Sequence, residues 1–220
     1  MSCHKGPEQL LKANHLRIPP NLRFRVPRDY ESPWSLGADS WDLIYLRLAC
    51  GGVSSWSEMY QNVFQYAHLP STIQNCRLTS RHLKPAVGHF EQVEIDFEPR
   101  CDDGAVPPTL ATWWEYLKDA SARGGKPLQF DRNSKRVLEQ HGFVDVREHI
   151  LKLPLNDWAT EEPDRSLGAW NAVIFNDGIE SLSLGPLTRV YNWTAEDTKK
   201  FCREIREIGT NRRTHCYQTM

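Results

Sequence analysis

The stretch VEIDFEPRCDDG, residues 93–104, sets Glu94, Asp96 and Glu98 at alternate positions and follows them with Asp102 and Asp103. Carboxylates this close repel one another when ionised, so one of them can keep its proton and act as an acid. A structural reading competes with this one: Arg100, Arg47 and backbone amides neutralise the cluster and order a loop. Side chains two apart on a strand point the same way, which makes Glu94 and Asp96 the candidate pair. Histidine is the usual base for a substrate hydroxyl. His89, His149 and His215 fall on expected strands, whereas His141 suits a helix C-terminus, where an imidazolium meets the helix dipole. The expected catalytic set is Glu94, Asp96 and His89.

Trp113, Trp114 and Tyr116 open a helix after the carboxylates. One of the three is expected in the core and another against a flat, apolar substrate. In Cys50-Gly51-Gly52, Gly51 permits close backbone approach to a ligand, and a tight turn explains it equally well. The six cysteines are scattered, with neither CxxC nor zinc-ligand spacing, so no metal is expected and reduced thiols are. Under that reading the sequon Asn192-Trp193-Thr194 carries no weight.

Alternating strands and helices must hold these residues. NLRFRV, residues 21–26, alternates as a half-buried strand does. WDLIYLRLA, residues 41–49, is the apolar run of a strand covered on both faces. Ser55 and Glu58 have capping-box spacing ahead of a helix whose buried face is Trp56, Tyr60, Val63 and Phe64. HFEQVEIDF, residues 89–97, is the next strand. Pro107 and Pro108 open a helix that Gly124 ends. A shorter helix stops at Gly142. FVDVREHILKL, residues 143–153, reads as a strand through Val144, Val146 and Ile150. Thr194 and Asp197 cap a last helix, with Phe201, Ile205 and Ile208 inward and Gly209 just past its end. RRTHCYQTM, residues 212–220, closes the chain as a strand. The pattern predicts an α/β fold with a mainly parallel sheet and flanking helices. Ligands of such sheets sit beyond the carboxyl ends of the strands, which puts Arg47–Gly52 and Glu94–Asp103 on one rim.

The 220 residues are 40% apolar and 25% charged, with a formal net charge of −1, as in one soluble domain. That balance argues against nucleic acid or an acidic membrane as the main partner. No apolar run is long enough to span a bilayer, and the first residues hold no secretory core. A cytoplasmic location is expected, or a nuclear one for a regulator.

The segments PPNLRFRV and ESPW, DLIYLRLACGGVSSW, FEQVEIDFEPRCDDG, HGFVDVREHILKLPLN, LGPLTRV and NRRTHCY occur in an order that resembles the LaeA-like (TAM-type) fungal methyltransferases. The resemblance covers most of residues 18–217. It implies an incomplete Rossmann-like methyltransferase sheet with an antiparallel last strand, and S-adenosylmethionine as cofactor. Asp29, in RDYESPW, resembles one of the family's two acidic residues beside the adenine, and Arg28 stands where the other would be. Arg47 and Gly51 complete the expected cofactor contacts.

Two departures bear on this. No glycine-rich cofactor loop precedes PPNLRF, so this chain is expected to bind the cofactor weakly or not at all. Residues 66–80 form an insertion, read as a lid or as a surface loop or translated intron. The expectation is a single domain over residues 1–220, with a poorly defined segment at 1–17. The function implied is that of a methyltransferase-family enzyme of fungal secondary metabolism acting on a small, apolar natural-product intermediate. Two alternatives stay open: a cofactor-independent cyclase or isomerase on the same scaffold, and a non-enzymatic regulatory or interaction protein. The incomplete sheet adds an expectation of a homodimer or protein partner that covers it.

Overall fold

A computed structural model describes residues 21, 29–32, 34, 41–64 and 88–220. Residues 22–26 of the strand expected at 21–26, and the expected insertion at 66–80, lie outside the described residues. The chain forms two units, Met1–Ser35 and Leu36–Met220. Within the first, Asp29 opens a turn. Its backbone carbonyl accepts from the Ser32 amide at 3.2 Å, and its carboxylate accepts from the Glu31 amide at 2.9 Å.

The second unit holds the α/β fold. Strand β1 (Leu43–Arg47) runs parallel to β2 (His89–Val93), with Leu43 opposite His89 and Arg47 opposite Val93. Only Glu94 and Ile95 separate β2 from β3 (Asp96–Cys101). The last strand, β5 (Cys216–Thr219), lies between β3 and β4 (Lys152–Pro154) and is antiparallel to both. β3 and β4 are therefore parallel to each other. This is the expected α/β arrangement with an antiparallel last strand. The β3–β5 register shifts between Asp96 and Arg100. Pro99 lies within that interval, where it has no amide to give the ladder.

Helix α1 (Trp56–Val63) starts at Ser55, whose hydroxyl accepts from the Glu58 amide at 3.3 Å. Tyr60 and Val63 are fully buried on the expected face. α2 (Pro108–Arg123) carries Leu110, Trp113 and Leu117 into the main core, where they meet Leu155, Phe175, Ile179 and Ile205. α3 (Ser134–Gln140) ends before Gly142, whose φ is +96°. A side chain on Gly142 would also strike the Phe64 ring, 2.8 Å from an added Cβ, so both conformation and space require glycine.

Four sequence expectations need correction. The strand expected at 143–153 is reduced to Lys152–Pro154. Val144 and Ile150 are 83% and 70% exposed, and Asp145 takes a left-handed φ of +54°, which breaks the alternation. β1 is not covered on both faces, because Leu43 and Tyr45 are each 51% exposed. Gly209 lies inside the last turn of α5 (Ala195–Thr210), close against the Phe175 ring, and not beyond the helix end. Cys101 and Cys216, expected as free thiols, are neighbours in the β3–β5 register and are joined as a disulfide.

The helix α4 (Glu162–Val190) was not expected from the sequence at all. It buries Phe175, Ile179 and Leu187, while Trp170 and Ile174 on its other side are 70% and 66% exposed. Among the described residues, no helix is long and apolar enough to cross a membrane.

Candidate functional site

The carboxyl ends of β1 and β2 meet at a loop, Leu48–Val53, whose backbone is fixed residue by residue. The Leu48 amide continues the parallel ladder by donating to the Val93 carbonyl at 2.9 Å. The next two amides turn inward to Glu94. Its carboxylate accepts from the Ala49 amide at 3.0 and 3.1 Å and from the Cys50 amide at 3.1 Å. Gly51 donates to the Pro127 carbonyl at 2.9 Å, and Gly52 and Val53 both donate to the Ala49 carbonyl, at 2.9 and 3.1 Å. On the far side, the Lys126 ammonium donates to the Gly52 carbonyl at 2.6 Å. Every amide from Leu48 to Val53 is thus engaged by the protein itself.

Two residues of the loop have positive φ: Leu48 at +53° and Gly51 at +80°. For leucine this conformation costs roughly 1–2 kcal/mol. Leu48 is also 50% exposed, so its side chain presents an apolar surface at the rim. Beneath it, Glu94 is only 7% exposed. The thiol of Cys50 is raised well above the ordinary cysteine range, first by burial and then by the Glu94 charge. It is therefore a protonated thiol at neutral pH and not a nucleophile. The buried Tyr60 hydroxyl, pushed up to about 12 chiefly by burial, donates to Gln92 Oε1 at 2.9 Å.

Asp96 is held differently from Glu94. Arg100 bonds its carboxylate at 2.5 Å, and Arg132 lies 3.3 Å from the same oxygen while also bonding Glu98. Arg47, the expected partner of these carboxylates, stands exposed at the end of β1. Its place is taken by Arg100, two residues beyond Glu98, and by Arg132, from the loop before α3. No sequence spacing points to Arg132, because the fold supplies it from 36 residues away. The left-handed Leu48 likewise leaves no mark in the sequence.

The remaining expected residues of this unit lie elsewhere. His89 is at the amino end of β2, opposite the rim end of that strand. Trp113 and Trp114 are 0% and 3% exposed, and the Trp113 indole donates to the Ser183 hydroxyl at 2.8 Å. Both rings belong to the core. Tyr116 faces a second aromatic group, with ring centroids 4.8 Å from Tyr191 and 5.3 Å from Trp193. His215 pairs with Asp103 at 2.9 Å and stacks on Trp158. Asp29 is in the other unit. Among the described residues, no group of three or more His, Cys, Asp or Glu side chains is arranged to hold a metal.

No family model matches the chain. It is 41% identical over 207 residues, 93% of its length, to "Secondary metabolism regulator LAE1" of Cochliobolus heterostrophus. The chain is thus similar, over nearly its whole length, to LaeA-like proteins. It is 36% identical over 210 residues to "Secondary metabolism regulator laeA" of Aspergillus flavus, and 36% identical over 204 residues to "Protein-methionine methyltransferase laeA" of Emericella nidulans. The matches span 62%, 52% and 50% of these relatives, so the chain corresponds to between half and about three-fifths of their length.

S-adenosylmethionine, the cofactor that this resemblance implies, fits the described residues only in part. The half-exposed Leu48 side chain is an apolar group at the rim. The cofactor's carboxylate finds no free amide in the Leu48–Val53 loop, and Glu94 and Asp96 are already bonded within the protein.

Proposed function

We propose that this LaeA-like chain serves fungal secondary metabolism from a methyltransferase scaffold, with the Leu48–Val53 rim as the wall of a small-molecule site. The observation that carries the reading is 41% identity, over nearly the whole chain, to a protein named as a secondary-metabolism regulator. The rim supports it, because a loop with every amide satisfied is a preorganised surface. Leu48 suits a small, apolar natural-product intermediate or the apolar edge of a cofactor. S-adenosylmethionine, when bound, supplies an activated methyl group.

A second reading of the acceptor has its own support. One relative is named a protein-methionine methyltransferase. A methionine thioether carries no proton to remove, so an acceptor of that kind needs no general base. Glu94 and Asp96, engaged by amides and guanidinium groups, fit such a reaction better than one that begins by deprotonating a hydroxyl.

The test is made in a fungal strain that lacks its own laeA and has lost secondary metabolites as a result. Expression of the 220-residue chain restores at least part of the metabolite profile if the reading holds. An unchanged profile, with the protein present and folded in the cells, contradicts it.

A further inference from the structure

Glu94 sits where an external anion would bind. Successive backbone amides beside a residue in the left-handed region form a concavity that attracts negative charge. Here Leu48 takes the left-handed conformation, and the Ala49 and Cys50 amides that follow converge on one carboxylate. The carboxylate comes from the protein itself, 45 residues further on, and is almost wholly buried. It has no arginine or lysine partner among the described residues, so the two amides, with the adjacent Cys50 thiol, are its stabilising contacts. The unfavourable φ of Leu48 and the burial of Glu94 are each offset by the other.

From this we infer that Glu94 is a positioning residue: an internal anion seated in a backbone nest, which holds the Leu48–Gly52 loop in the conformation that a ligand meets. It acts on the ligand through the loop and exchanges no proton. The role at the ligand rests on the functional reading above, whereas the nest itself does not. Removing the side chain leaves a concavity shaped for a small carboxylate, so the nest of a Glu94→Ala protein takes formate from solution.

Amide hydrogen exchange on the full chain, with and without sodium formate, tests this. In Glu94→Ala the Ala49 and Cys50 amides exchange at least about tenfold faster, the least expected when a charge-assisted bond is lost. Amides within α2 and α5 are unchanged. Formate at tens of millimolar restores the protection, and sodium chloride at equal ionic strength does not. Glu94→Gln keeps the shape and one acceptor oxygen, so its loop is loosened less than that of Glu94→Ala, and it serves if the alanine variant does not fold. Unchanged exchange at Ala49 and Cys50 overturns the inference. So does acceleration spread evenly through α2 and α5 in Glu94→Gln, or a failure of formate to act on a folded Glu94→Ala protein. These outcomes are independent of any cofactor or substrate. A nest that responds to formate in a protein without effect on metabolism would contradict the functional reading and leave Glu94 as assigned.

Discussion

Gly51 shows how narrowly the rim is set. Its φ of +80° is open to glycine, and an added Cβ would come within 3.2 Å of the Leu128 side chain. Gly51→Ala should therefore lower stability by roughly 1–2 kcal/mol, the cost of a left-handed alanine. Urea unfolding measures it, and a change below the error of the method would show that the loop adapts freely. The carboxylates could be found from sequence, because alternation on a strand is visible there. Their roles could not. Glu94 reaches amides 45 and 44 residues back, and Asp96 is held by an arginine 36 residues on. The two share a strand pattern and yet have different partners, since the strand breaks between them. His89 was legible as a strand residue, but which end of the strand faces a ligand depends on the direction of β2 and on its pairing.

At the scale of elements, capping signals were the surest guide. Ser55 and Thr194 both accept hydrogen bonds from the amides three residues on, as their spacing predicts. α4 escaped notice for a physical reason. Its interior contains Gly168, Gly178, Gly185 and Pro186, all poor helix formers, and apolar residues lie on both its buried and exposed sides. Tertiary packing against α2 and α5 holds it, with Phe175 and Ile179 in the shared core. The aromatic pair of α2 belongs to that same core. Trp113→Ala should cost about 3–5 kcal/mol of stability, as for other large core truncations. A loss of less than 1 kcal/mol, with a selective loss of ligand binding, would instead place the ring at a site. The β3–β5 pairing makes a further prediction. Peptide mapping under non-reducing conditions should recover Cys101 cross-linked to Cys216, with Cys50 and Cys202 as free thiols. Free Cys101 in freshly isolated protein would contradict it. Sequence spacing hides this pair, because 115 residues separate its members and only sheet register joins them.

At the scale of the whole molecule, the fold class was legible because strands and helices alternate along the chain, and the direction of the last strand followed from the family resemblance. The meeting of the Leu48–Val53 loop with Glu94 was legible from the expected strands, which put both at carboxyl ends. The rim's chemistry was not, because the amides that would meet an anion are satisfied from within by Glu94, by Val93 and Ala49, and by Pro127. On the reading proposed above, the ordered Leu48–Val53 rim meets a small molecule, and its engaged amides leave none to hold the carboxylate of S-adenosylmethionine. Titration calorimetry of S-adenosylmethionine into the purified 220-residue protein tests it most directly. No saturable binding is expected at micromolar ligand, with any interaction at roughly millimolar affinity, or about −4 kcal/mol. Stoichiometric binding at micromolar affinity would contradict it, and would show that the chain holds the cofactor's carboxylate and ribose by groups other than the amides of the Leu48–Val53 loop.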